Sequence, residues 1–137
     1  MIIRKALESD KSRIEKAWRD IFSHDDHGHS DYYFKFAYDA DQSYLLTTDQ
    51  DELISACQVH TKTLMLAKKP IEVSFIVGLF TLEKYRNQGN MKKLLTKILE
   101  IEERKHHFTL IQAYDPTLYL SYGFEPLYER TIYHLEP

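Results

Sequence analysis

The stretch Leu79-Phe80-Thr81-Leu82-Glu83-Lys84-Tyr85-Arg86-Asn87-Gln88-Gly89-Asn90-Met91 decides how this sequence is read. It continues the apolar run Val73-Ser74-Phe75-Ile76-Val77-Gly78, whose pattern is that of a strand buried on both faces. Beyond Gly89, the residues Met91, Leu94, Leu95, Ile98 and Ile101 recur at helical spacing, with Lys92, Lys93 and Lys97 on other faces. A buried strand therefore runs through a short loop into a helix. The first amides of a helix have no partner within it, and the helix dipole adds positive charge there. Arg86 supplies a cation, and Gly89 lets a bulky group approach the backbone, so the stretch suits a phosphate-bearing ligand. It has neither the Gly-Lys-Ser/Thr of a Walker loop nor the three glycines of a dinucleotide fingerprint. Gly78, inside the strand, marks either a bulge or a close approach of a ligand to the backbone.

Working outward, residues 2–6 read as a first strand, and Ser9 or Asp10 is placed to cap a helix carrying Ile14, Ala17, Trp18 and Ile21. A polar segment, residues 23–30, leads to a short aromatic helix with Tyr32, Tyr33, Phe34 and Phe36. Residues 43–48 and 53–61 read as strands joined by a turn at Asp49-Gln50-Asp51. Residues 63–66 precede a second turn at Lys68-Lys69-Pro70. A strand over 108–113, a short helix over 116–121 stopped by Gly123, and one or two strands over 124–135 complete the chain. The order predicts an α/β (α+β) domain with a mixed sheet covered by helices. At 137 residues, without a linker or repeat, a single domain over 1–137 is expected.

Composition narrows the function classes. With 43% hydrophobic and 28% charged residues the chain is globular, and a net charge of −3 gives no cationic face for nucleic acid. No apolar stretch is long enough to span a membrane, and the N-terminus turns charged at Glu8 and Asp10 instead of forming an apolar signal region. The one cysteine, Cys57, forms no internal disulfide, which fits a reducing cytoplasm. Assembly as a homo-oligomer is compatible with the sequence.

Tyr85-Arg86-Asn87-Gln88-Gly89-Asn90-Met91, with Leu94-Leu95 behind it, resembles the acyl-CoA loop of the GNAT acetyltransferases, Arg/Gln-x-x-Gly-x-Gly/Ala. Tyr119-Leu120-Ser121-Tyr122-Gly123-Phe124 is similar to the Tyr-x-x-x-Gly-Phe that ends the same domain. Met91 and the run Asp115-Pro116-x-Leu118-Tyr119 look most like the Eis-type branch, whose members carry further domains after this one. The resemblance implies the GNAT acyl-CoA N-acyltransferase fold, with a mostly antiparallel central sheet flanked by helices. It also implies transfer of an acetyl group from acetyl-CoA to an amine, small-molecule or protein, by direct attack in a ternary complex. The backbone of Leu79, Phe80 and Thr81 would pair with the pantetheine arm, and the amides of Arg86, Asn87, Gln88, Gly89, Asn90 and Met91 would hold the pyrophosphate. Tyr119 would protonate the departing thiolate, which suits a phenol whose ordinary pKa is near 10. Met91 stands where most members have Gly or Ala, and Asn90 replaces an apolar residue; backbone donors survive both changes.

The general base is open between Glu72, His60 and an ordered water. The segment His24-Asp25-Asp26-His27-Gly28-His29 offers metal-ligand types, yet it is one contiguous polar run without Cys. A solvated acidic loop bordering the acceptor is expected there, and no metal. The alternative to an enzyme is a non-catalytic CoA-binding module used for sensing or interaction.

Overall fold

The structure, a computed structural model, describes residues 1–22, 29–111 and 116–124. Five strands form one sheet in the order β1 (Ile2–Lys5), β2 (Ser43–Thr47), β3 (Leu53–Leu66), β4 (Lys69–Thr81) and β5 (Thr109–Ile111). The first three pairings are antiparallel and the last, β4 with β5, is parallel. The sheet is therefore mixed and mostly antiparallel, as the element order predicts. The final strands expected over 124–135 and the metal-ligand types at 24–28 lie outside the described residues, apart from Phe124.

Alternation along the strands sends side chains to two separate cores. Leu45, Leu53, Ala56 and Phe80 pack with Ile14, Ala17 and Trp18 of α1 (Lys11–Phe22) and with Tyr33 and Phe34. Tyr44, Leu46, Ile54, Cys57, Val59 and Ile76 pack on the opposite face with Leu94, Leu95 and Ile98 of α3 (Asn90–Glu102). Those three α3 residues are fully buried. Each contributes roughly 2 kcal/mol relative to exposure, which holds the helix, and the loop before it, onto β4.

Three local expectations change. Residues 53–66 form one unbroken strand, and the turn is the pair Ala67 and Lys68, both with positive φ (50° and 65°). Pro70 consequently lies within β4, opposite Met65. It is tolerated because pairing of β4 with β5 is recorded only from Ser74 onward, so its missing N–H falls on an open edge. Asp10 does not cap α1. It lies in the turn Glu8–Asp10, is buried, accepts from the Leu7 amide (2.7 Å), and is gripped by Arg4 (2.8 Å) and Arg13 (2.7 Å). The aromatic helix begins as α2 (His29–Tyr32) and widens to a π-turn over Tyr33–Ala37, a form that recurs at functional sites.

Candidate active site

β4 changes course at Gly78. The register with β3 shifts between Ala56 and Gln58, so extra residues of β4 face one position of β3, and Gly78 adopts φ +62°. A Cβ added there would lie 1.9 Å from Trp18 Cζ3 and 2.8 Å from Gln58 Oε1, so only glycine fits. Both readings of Gly78 are thus partly met: it is a bulge, and the close approach is made by the protein's own side chains. β4 pairs with β5 at Ser74, Phe75 and Ile76, where the described part of β5 ends. Leu79, Phe80 and Thr81 follow the bulge.

The loop that follows is held by its own side chains. Glu83–Tyr85 is a 3₁₀ turn, and Asn87 (φ 61°) and Gly89 (φ 78°) are both left-handed. Arg86 Nε donates to the Thr81 carbonyl (2.9 Å), Gln88 Nε2 to that of Lys84 (3.0 Å), and Asn90 Nδ2 to that of Tyr85 (2.9 Å). Asn90 is buried, and its bond to Tyr85 accounts for a polar residue where an apolar one is usual, although its Oδ1 has no partner among the described residues. Lys93 N–H to the Gly89 carbonyl (3.1 Å) is the bond that opens α3, so the amides just before Lys93 face outward. Nothing lies within 4 Å of a Cβ added to Gly89. Lys92 lines a groove of about 300 Å³ with Thr96, Leu99, Ser121 and Tyr122, whereas Lys93 Nζ turns to Met1 Sδ (3.6 Å).

Tyr119 lies on the 3₁₀ segment Pro116–Tyr122, half-buried, with its ring edge-on to Phe124 (6.1 Å). It packs against the same core as Leu79 and Tyr85, so the segment after the bulge, the anion loop and this phenol meet on one face. Burial, with Tyr122 and Cys57 nearby, raises its pKa above that of an ordinary tyrosine, so the phenol keeps its proton at neutral pH. Cys57 is fully buried, and burial, with Glu102 close by, pushes its thiol up. It offers no thiolate.

The two candidate bases separate. Glu72 is six residues before Gly78, about 20 Å along the strand, and its carboxylate is exposed 3.9 Å from His106 Nε2. His60 sits on the bulge side of β3, but both nitrogens are engaged: Tyr33 OH donates to Nε2 (2.6 Å) and Nδ1–H donates to Gln42 Oε1 (2.5 Å). Burial, then the charge of Lys62, lowers the His60 pKa, and burial raises that of Tyr33. The sequence reading missed Gln58 and the Trp18 ring against it. The signal was the lone Gly78, which announced crowding without naming the neighbour.

The sequence matches the Acetyltransferase (GNAT) domain family over residues 2–127. The chain belongs to the GNAT acetyltransferase family. Its sheet and flanking helices are the GNAT fold. No curated protein matches the sequence. Among solved structures it is similar to a GCN5-related N-acetyltransferase from Kribbella flavida (TM-score 0.74, 16% identity), covering 90% of this chain and 33% of that one. It is similar to Arabidopsis thaliana NAA60 in complex with a bisubstrate analogue (TM-score 0.69, 19% identity, 93% and 86% covered). A transcriptional regulator from Bacillus halodurans is a third likeness (TM-score 0.71, 19% identity, 93% and 95% covered). At these identities the structures speak for the fold. GNAT domains use acetyl-CoA as co-substrate and act on amine acceptors. Among the described residues no helix is long and apolar enough to cross a membrane.

Proposed function

We propose that this GNAT domain is an acetyl-CoA-dependent N-acetyltransferase acting on a primary amine by direct attack in a ternary complex. The observation that carries the reading is the left-handed Gly78 bulge in β4, which leads through an open, left-handed Gly89 into the start of α3. Leu79, Phe80 and Thr81 receive the pantetheine arm as an added strand, and the amides of residues 86–91 receive the pyrophosphate. Lys92, in the groove wall, is the better placed of the two lysines for a further phosphate.

The amine nitrogen attacks the thioester carbon, the C–N bond forms, and the carbonyl electrons move to oxygen and return as the C–S bond breaks. The sulfur takes the proton of Tyr119, the nitrogen releases its surplus proton to water, and water returns a proton to the phenolate. Its raised pKa keeps the Tyr119 phenol protonated until the thiolate departs, and the buried neutral Cys57 thiol favours direct transfer over an acyl-enzyme. A lone buried thiol also suits a reducing cytoplasm. The size of the Kribbella flavida protein, of which this chain covers 33%, fits the Eis-type likeness of Met91 and of the run at residues 115–119.

The test is calorimetric titration with acetyl-CoA, followed by thiol release over a panel of polyamines, aminoglycosides and peptide N-termini. Tyr119→Phe is expected to lower kcat about a hundredfold with acetyl-CoA affinity unchanged. Absence of acetyl-CoA binding rejects the proposal. A second reading, a CoA-binding module without transfer, is favoured by the occupied nitrogens of His60. Tight binding with no thiol release across the panel selects it.

A further inference from the structure

Gln58 lies near the middle of β3, and its side chain is completely buried. Neither its Oε1 nor its Nε2 has a hydrogen-bond partner. A buried carboxamide is ordinarily satisfied, and leaving both ends open is costly. His60, Ser55 and Thr81 are engaged elsewhere. Both nitrogens of His60 are taken, Ser55 Oγ donates to the Phe80 carbonyl (2.5 Å), and Thr81 Oγ1 donates to Ser55 Oγ (3.2 Å).

Its position gives the open amide a meaning. Gln58 is the β3 residue at the register shift, and its Oε1 rests where a side chain of residue 78 would otherwise stand. The missing Cβ of Gly78 therefore leaves room for the end of the carboxamide beside the β4 bulge. The Trp18 ring covers the same spot from the α1 side.

We propose that Gln58 contacts the transferred acyl group, its Nε2–H donating to the thioester carbonyl oxygen and to the oxyanion which that oxygen becomes. This deepens the transferase reading and rests on it. The Trp18 indole and the Gly78 backbone, which share this spot with Gln58 Oε1, are uncharged, so they suit a neutral carbonyl better than an ammonium acceptor. An amide donor in such a water-poor site gains strength as negative charge develops on the oxygen, which is the requirement for selective stabilisation of the transition state.

The experiment compares the wild-type chain with Gln58→Met, a change of similar volume without polar atoms. Each is titrated calorimetrically with acetyl-CoA and, separately, with CoA, and each is melted without ligand. The variant is expected to bind acetyl-CoA about fivefold more weakly while binding CoA as before. Its Tm is expected to rise by roughly 3 °C, because two unpaired polar atoms leave the core. An unchanged ratio of acetyl-CoA to CoA affinity overturns the proposal. So does a lowered Tm, which would mean that the amide serves the fold. A wild-type chain that binds neither ligand is a different result: it strikes the transferase reading itself, and this assignment with it.

Discussion

Gly78 and Gly89 share a left-handed backbone, with φ of 62° and 78°, and differ in everything around it. At Gly78 the absent side chain is replaced by protein: the Trp18 ring and the Gln58 carboxamide occupy its place. At Gly89 the same absence leaves empty space beside the first amides of α3. One glycine therefore serves packing inside the sheet, and the other keeps a surface clear for a ligand. The two regions handle polar groups to different degrees, since Asn90 Oδ1, like the Gln58 amide, has no partner among the described residues. Around Gly89, Arg86, Gln88 and Asn90 each donate to a neighbouring carbonyl, so the loop is preorganised before anything binds. Beside Gly78, the Gln58 amide makes no bond.

The sharpest way to break this comparison is to add one methyl group to each. Gly78→Ala must accommodate a Cβ 1.9 Å from Trp18 and a left-handed alanine. Overpacking and backbone strain together should cost about 3 kcal/mol, read as a lower urea midpoint at unchanged m-value. Because the bulge aims β4, turnover should fall with it. Equal stability of wild type and variant would mean that Trp18 moves aside without cost and that the crowding at Gly78 is not structural.

Gly89→Ala should be milder in stability and sharper in binding. Its Cβ meets no protein atom, so only the left-handed alanine is penalised, at about 1 kcal/mol. The methyl would, however, enter the space expected for the diphosphate. Acetyl-CoA affinity should therefore drop at least about tenfold, some 1.4 kcal/mol. If the variant loses stability and keeps its affinity, the open side of Gly89 is not where the ligand lies.

The two regions were unequally legible in the sequence. Glycine, helix start, cation and helical stripe sit within thirteen consecutive residues at 86–98, so local rules suffice to read the loop and its helix. Tyr119 came from a second local motif, and it packs against the same core as Leu79. Trp18, Gln58 and Gly78 are separated by 40 and 20 residues and meet only through strand register and a helix crossing. No spacing rule reaches across such separations. Pro70 misled for a related reason: proline normally marks a turn, but an open edge of β4 removes the objection to it in a strand. Asn90 looked like a departure because a side chain that bonds back to Tyr85 is invisible until the loop is folded.

The smallest expected effect concerns protons on the crowded side. His60 stands two residues from Gln58, accepts from Tyr33 OH and donates to Gln42. Burial, assisted by Lys62 and opposed by Asp39, lowers its pKa below the ordinary 6.5. Above pH 6.5 the ring is neutral in folded and unfolded chains, and its contribution is at its full value. As pH falls through 6.5 the unfolded chain takes up the proton first, so unfolding is favoured until the lowered folded pKa is reached. Stability should therefore decline from just below neutrality, while His60→Gln, which can donate and accept without titrating, should flatten that part of the curve. Urea midpoints at pH 7.5 and pH 5.5, taken for both chains, provide the measurement. Parallel losses in the two chains would place the acid sensitivity elsewhere and remove His60 from the list of groups that distinguish the crowded side of the sheet from the open loop.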